Sequence, residues 1–151
     1  MKSEKRVLIA SDHAGLALKT ELIKNLPEWF WTDLGPIDSA NVDYPDYAAL
    51  LGTKLVNGEA LKGILVCGSG IGMCISANKI AGIRAALVEN PVAARLSREH
   101  NDTNVLCLGS RFIAPEYGTE IVRVWLETEF SGDERHVQRV QKIRALEEKR
   151  K

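Results

Sequence analysis

A thiol leads a glycine loop in this chain. The run Cys67-Gly68-Ser69-Gly70-Ile71-Gly72 follows the apolar stretch 63–66 and precedes Met73-Cys74-Ile75-Ser76-Ala77-Asn78-Lys79. That order predicts a buried strand, a glycine turn and a helix. Backbone N–H groups converging at such a turn can hold an anion. The same positive field favours thiolate over thiol, lowering a cysteine pKa from its usual ~8.5. A base beside an anion hole is the equipment for taking a proton from a carbon next to a carbonyl. Other glycine-loop chemistries fit less well. Gly68-x-Gly70-x-Gly72 is not the GxGxxG of a dinucleotide fingerprint, nor does it stand in the first strand–helix turn. It lacks the Gly-Lys-Ser/Thr ending of a nucleotide phosphate loop. A phosphatase-type thiol would need an arginine six residues after Cys67, where Met73 stands. The plain alternative for the loop alone is a structural turn beside a buried cysteine.

The elements that must position this loop alternate between strand and helix. Strands are expected at 7–10, 29–34, 63–66, 83–88 and 105–108. Helices are expected from Leu16 to about Leu26, ended by Pro27, and from Tyr47 to Asn57, stopped by Gly58. Further helices follow the glycine loop, open at Pro91 and Pro115, and span residues 134–151. Residues 35–45 form a long loop with two prolines. Five strands alternating with helices predict an α/β, Rossmann-like three-layer sandwich with a parallel sheet in the order 2-1-3-4-5. Such a sheet binds its ligand past the carboxyl ends of strands, where the topology switches direction. Strand one ends in Asp12 and His13, strand three in Cys67, and the loop between them carries Asp43-Tyr44-Pro45. Asp12, His13 and Cys67 are therefore expected to face one crevice.

Composition narrows the function classes. With 151 residues the chain is expected to form one domain, and its 20 basic residues balance 20 acidic ones. A zero net charge gives no general pull towards nucleic acid or membrane. No run approaches a membrane span, and the start Met1-Lys2-Ser3-Glu4 enters a strand too early for a signal peptide. The three cysteines, Cys67, Cys74 and Cys107, sit in apolar or catalytic surroundings and fit a reducing cytoplasm. No CxxC or HExxH pattern suggests a metal. Each of the three histidines keeps unusual company: His13 follows Asp12, His100 precedes Asn101-Asp102, and His136 lies between Arg135 and Arg139. Arg135 and Arg139 share one helical face, suited to gripping a phosphate, although a solvated helix face would look the same. Arg111 follows Gly109-Ser110 at the end of strand five. Val137, Val140, Ile143 and Leu146 form an apolar stripe on the tail helix.

Seven segments now carry a resemblance. They are 10–15 (Ala-Ser-Asp-His-Ala-Gly), 43–45 (Asp-Tyr-Pro), 67–72, 77–79 with 82–85, 97–106, 109–111 and Arg135-His136-x-x-Arg139. In this order they resemble ribose-5-phosphate isomerase type B, of the family that includes galactose-6-phosphate isomerase subunits. The resemblance implies cofactor-independent interconversion of D-ribose 5-phosphate and D-ribulose 5-phosphate through an enediolate, in the non-oxidative pentose phosphate pathway. Cys67 would be the base. Ser69 and the amides from Gly68 through Gly70 and Ile71 to Gly72 would hold the oxyanion. His100 would open the furanose ring, with Asp12 on the sugar hydroxyls. Tyr44 and Asn101 match sugar-side positions; His13, Arg111, Arg135, His136 and Arg139 match the phosphate end. Some relatives carry a glutamate base at the position of Met73, which cannot accept a proton, so this chain should use the thiol. The resemblance also implies a homodimer, or a homotetramer built from it, with pockets completed across the boundary and the 134–151 helix packed on the partner. Alternatives are a hexose-phosphate isomerase acting on allose or galactose 6-phosphate, a flavodoxin-like module binding a phosphorylated ligand, and an inactive subunit of a heteromer. The last pairing tends to split the catalytic residues, whereas this chain retains both Cys67 and His100. Trp29 and Trp31 belong to no motif and are expected to pack a strand and an interface.

Overall fold

The uniformly apolar strands are covered on both faces. β1 (Arg6–Ser11), β3 (Lys62–Cys67) and β5 (Val105–Gly109) alternate their side chains between two cores. Val7, Ile9, Ile64, Val66, Leu106 and Leu108 enter one core; Leu8, Ala10, Leu65, Cys67, Val105 and Cys107 enter the other. This double burial explains why the strands lack the polar alternation of a half-exposed sheet. The structure is a computed structural model describing residues 4–150. Met1 to Ser3, where the leaderless start was expected, and Lys151, the end of the expected tail helix, lie outside the described residues.

Two shorter strands, β2 (Phe30–Asp33) and β4 (Ala85–Leu87), form the edges. All five strands are parallel. α1 (Leu16–Asn25), α4 (Pro91–Asn101) and α5 (Pro115–Glu127) cover the first core, and α2 (Tyr44–Val56) and α3 (Ile71–Ala77) the second. α6 (Glu134–Glu148) lies against α4. This is the expected three-layer α/β architecture. Among the described residues no helix is long and apolar enough to cross a membrane.

The strand order corrects one expectation. It runs β2-β1-β3-β5-β4, so β5 stands between β3 and β4 instead of at the edge. Two physical reasons agree. β5 is buried along its whole length, whereas the three residues of β4 are only half-buried, so the more apolar strand takes the inner position. Parallel crossovers are also right-handed, which ties the direction of each step along the sheet to the face its helix covers. The steps through α1 and α4 run one way, on one face; those through α2 and α3 run the other way, on the opposite face. An order 2-1-3-4-5 would have forced α4 onto the face of α2 and α3. The switch between β1 and β3 survives the correction.

Local boundaries follow capping chemistry. α2 begins at Tyr44, earlier than expected, because Pro45 sits in the first helical turn, where its missing N–H costs nothing. Asn90 caps α4, its Oδ1 accepting the Ala93 amide at 2.8 Å. Trp29 and Trp31 pack against the first core, and Trp31 Nε1 donates to the Leu26 carbonyl at 2.8 Å. On α6, Val140 is buried in its own chain, but Ile143 and Leu146 remain 39% and 58% exposed.

Candidate active site

The carboxyl ends of β1, β3 and β5 are laced together by the backbone. The Asp12 amide donates to the Val66 carbonyl at 3.1 Å, and the Ser110 amide to the Cys67 carbonyl at 2.9 Å. Ser110 Oγ completes the seam by donating to the Ala14 carbonyl at 2.8 Å. Cys67, buried at the tip of β3, faces the α2–α3 layer. Its sulfur accepts the Gly70 amide at 3.1 Å. Gly70 holds φ +76°, the left-handed turn that sends this amide back towards the thiol. Ser69 Oγ accepts the Ile71 amide at 3.2 Å. Two of the amides assigned to an oxyanion are thus already turned onto loop side chains.

Tyr44 and Arg111 lie against this loop, Asp12 stands at the strand end beside it, and His13 turns away from it. The Asp12 carboxylate is buried and accepts the Gly15 amide at 3.0 Å. Tyr44 lies so close over Gly72 that a Cβ there would stand 2.5 Å from the phenol ring. The Arg111 guanidinium rests against Gly68, where a Cβ would be 3.0 Å from its central carbon. His13 is exposed, and its Nδ1 accepts the Val42 amide at 3.4 Å. The loop that supplies Val42 is tethered by Lys19, a buried ammonium donating to Asp33 Oδ1 and the Pro36 carbonyl, both at 2.7 Å. A hollow of about 640 Å³ opens beside His13, lined by Asn41, Asp43 and Tyr47 among others, and does not reach the Cys67 loop.

The remaining candidates form a second group. His100 and Asn101 occupy the last turn of α4, and the His100 ring lies 4.3 Å from that of His136, tilted by 34°. Burial, followed by the neighbouring His100, pushes the His136 imidazole below its ordinary pKa. Arg135 and Arg139 are exposed on the first turns of α6. Sequence reasoning missed the clamp that fixes this end of α4. Asp102 turns into the left-handed region at φ +46° and receives Arg98 Nη1 at 3.0 Å and Arg84 Nη2 at 3.2 Å. Arg84 Nε also donates to the Asn101 carbonyl at 3.2 Å. The signal was two arginines and an aspartate inside segments already singled out.

The two groups stand at opposite ends of the sheet. The Asn104 amide donates to the Arg84 carbonyl and the Gly63 amide to the Asn104 carbonyl, so the end of α4 adjoins the amino ends of β3, β4 and β5. Cys67 is at the carboxyl end. The 11 residues of α4 run from one end to the other, a length of about 16 Å. Within one chain His100 and the α6 arginines do not reach the thiol loop.

Comparison with known proteins identifies the family. A family model described as Ribose/Galactose Isomerase matches residues 7–143. The chain belongs to that family. Ribose-5-phosphate isomerase B of Escherichia coli is 44% identical over 148 residues, covering 97% of this chain and 99% of the relative. The solved ribose-5-phosphate isomerase B of Clostridium thermocellum superposes with a TM-score of 0.93 at 42% identity, covering 97% and 99% of the two chains. That of Mycoplasma genitalium, solved with bound ribulose-5-phosphate, gives 0.88 at 43% identity, covering 95% and 96%. In this isomerase-family chain Met73 is fully buried, as a packing residue rather than a base.

One expectation about the cysteines changes. Apolar neighbours in the sequence predict sluggish alkylation of both Cys74 and Cys107. Cys107, wholly buried in β5, has its thiol pushed well up by burial. The half-buried Cys74 is instead lowered to about 7, first by the hydrogen bond from Cys107. Asn78 Nδ2 adds a donor at 3.6 Å. Iodoacetamide should therefore modify Cys74 with a midpoint near pH 7 while Cys107 stays intact. Peptide mapping across pH checks this; an unlabelled Cys74 at pH 8 would restore the original expectation.

Proposed function

We propose that this protein interconverts D-ribose 5-phosphate and D-ribulose 5-phosphate by proton transfer through an enediolate. The observation that carries the reading is the buried Cys67 thiol in its glycine turn beside Asp12 and Arg111, in a chain nearly half identical to a named ribose-5-phosphate isomerase B. His100 opens the furanose by moving a proton between ring oxygen and anomeric hydroxyl. The Cys67 thiolate then takes the C2 proton, the electron pair flows into the enediolate, a proton passes from O2 to O1, and Cys67 returns a proton to C1 as C2 becomes the carbonyl. Ser69 and the Gly72 amide meet the developing oxyanion, Asp12, Tyr44 and Asn101 hold the hydroxyls, and His13, Arg111, Arg135, His136 and Arg139 hold the phosphate. None of these steps needs a metal or organic cofactor.

Because the two residue groups lie at opposite ends of one sheet, the working unit is a homodimer. The partner's copies of His100, Asn101, Arg135, His136 and Arg139 complete each thiol loop. The exposed Ile143 and Leu146 support a role for the end of α6 in that contact, while its start is seated on its own chain. Burying each of them would contribute up to roughly 1.5–3 kcal/mol before ordering costs. Each chain forms one domain over residues 1–151. The three free cysteines support a cytoplasmic setting.

An assay of the purified protein against pentose and hexose phosphates tests the reaction. Ribose 5-phosphate should be turned over, and absence of turnover on any pentose phosphate would refute the reading. Preference for allose or galactose 6-phosphate would favour the hexose alternative that the family's description leaves within reach. His100→Asn should slow isomerisation of the cyclic aldose much more than solvent-proton exchange into the ketose, which cannot close a furanose through its phosphorylated oxygen. Equal losses in both would reduce His100 to a packing residue.

A further inference from the structure

Ser131 joins three parts of the second residue group without belonging to any of its motifs. Its amide donates to the Glu99 carbonyl at 3.1 Å, one residue before His100. Its hydroxyl accepts the Asp133 amide at 3.2 Å, at the entrance to α6. The same hydroxyl lies 2.7 Å from His136 Nδ1. Ser131 is exposed, whereas the imidazole it touches is buried against His100.

We propose that Ser131 is a positioning residue that holds His136 as the neutral tautomer protonated on Nε2. Its hydroxyl oxygen already receives the Asp133 N–H, and its own proton is free to be donated to Nδ1. A separation of 2.7 Å fits an O–H donor better than an imidazole N–H donor, whose bonds to oxygen centre near 2.9–3.0 Å. Nδ1 is then the acceptor and the ring proton must sit on Nε2. Burial and the adjacent His100 both oppose a second proton on the ring, so the neutral form dominates near neutral pH. The result is a fixed N–H donor beside His100, on the first turns of α6 that also carry Arg135 and Arg139. A donor of this kind suits a phosphate oxygen that the two guanidinium groups have already brought close. His136 thus offers a proton without offering another full charge. The role assigned to that donor rests on the sugar-phosphate isomerase reading; the tautomer itself does not.

The decisive measurement is long-range 15N–1H correlation of the histidine rings in the ligand-free protein at mildly alkaline pH. His136 is expected to give the Nε2–H pattern in the wild type and in Ser131→Thr. In Ser131→Ala the pattern should shift towards a mixture of tautomers. Steady-state kinetics form the second arm: Ser131→Ala should raise KM for ribose 5-phosphate about three- to tenfold, the worth of one hydrogen bond, with kcat nearly unchanged and Ser131→Thr restored. A wild-type Nδ1–H pattern, or an identical pattern in the alanine variant, overturns the proposal whatever the enzyme acts on. A threonine variant as impaired as alanine also overturns it. If the wild type is inactive on pentose phosphates, the functional reading fails while the tautomer arm still decides Ser131.

Discussion

Replacing Cys67 with alanine is expected to lower turnover of ribose 5-phosphate by about 10²–10⁴-fold, the usual cost of losing a general base. Binding of an unreactive phosphosugar, followed by calorimetry, should change little. The distinction follows from the geometry. The sulfur's hydrogen bond is to its own loop, from the Gly70 amide, and the proposed phosphate and hydroxyl contacts come from other residues. Losing an interaction made only in the transition state lowers kcat and kcat/KM together. Near-normal turnover in this variant would remove the thiol from proton transfer. Because Cys74 ionises near neutrality, substrate protection of Cys67 should be measured in a background with Cys74 replaced. Otherwise the label reports two sites at once.

The second large effect is a recovery. A Cys67→Ala protein and a protein carrying both Arg135→Ala and Arg139→Ala should each be nearly inactive. After subunit exchange, each mixed dimer would hold one site with thiol and arginines intact, returning roughly a quarter of wild-type activity if pairing is random in a twofold dimer. Native mass spectrometry establishes the exchange. Mixed dimers without activity would mean that α6 serves the thiol of its own chain by some rearrangement of the fold. The observed 11-residue span of α4 between the two groups argues against that outcome.

Much of this architecture was legible in the residues alone. Double-sided burial betrayed itself in apolar strands without alternation, and Pro91, Pro115 and Gly58 marked helix ends through local backbone chemistry. A parallel sheet gathers the loops at the carboxyl ends of its strands along one edge, which places Asp12, Tyr44 and Arg111 near the Cys67 loop. His13 turns onto Val42 and its hollow does not include Cys67, so the expected single crevice of Asp12, His13 and Cys67 is not formed within this chain. The hidden part was non-local. The longer apolar run of β5 favours the inner position over the short Ala-Ala-Leu of β4, but the order itself is fixed by the faces taken by α3 and α4, which only the folded chain reveals. The acidity of Cys74 depends on Cys107, 33 positions along the chain and joined to it only by folding. The Arg84–Asp102–Arg98 clamp likewise depends on a turn whose backbone angle the sequence does not announce. The separation of Cys67 from His100 is legible in principle, since one ends a strand and the other ends a helix.

That separation carries a consequence for symmetry. A chain bearing complementary halves at opposite poles could join head to tail, each pole capping the next copy, and such a series would grow as an open filament unless its rotation closed a ring. An isologous pair avoids this, because one twofold axis matches both poles at once and leaves none free. Any contact that fixes the axis therefore also terminates growth. In the proposed homodimer the exposed apolar end of α6 would do more than add adhesive area: it would select the closed arrangement, in which catalytic completeness and finite size are secured by the same operation.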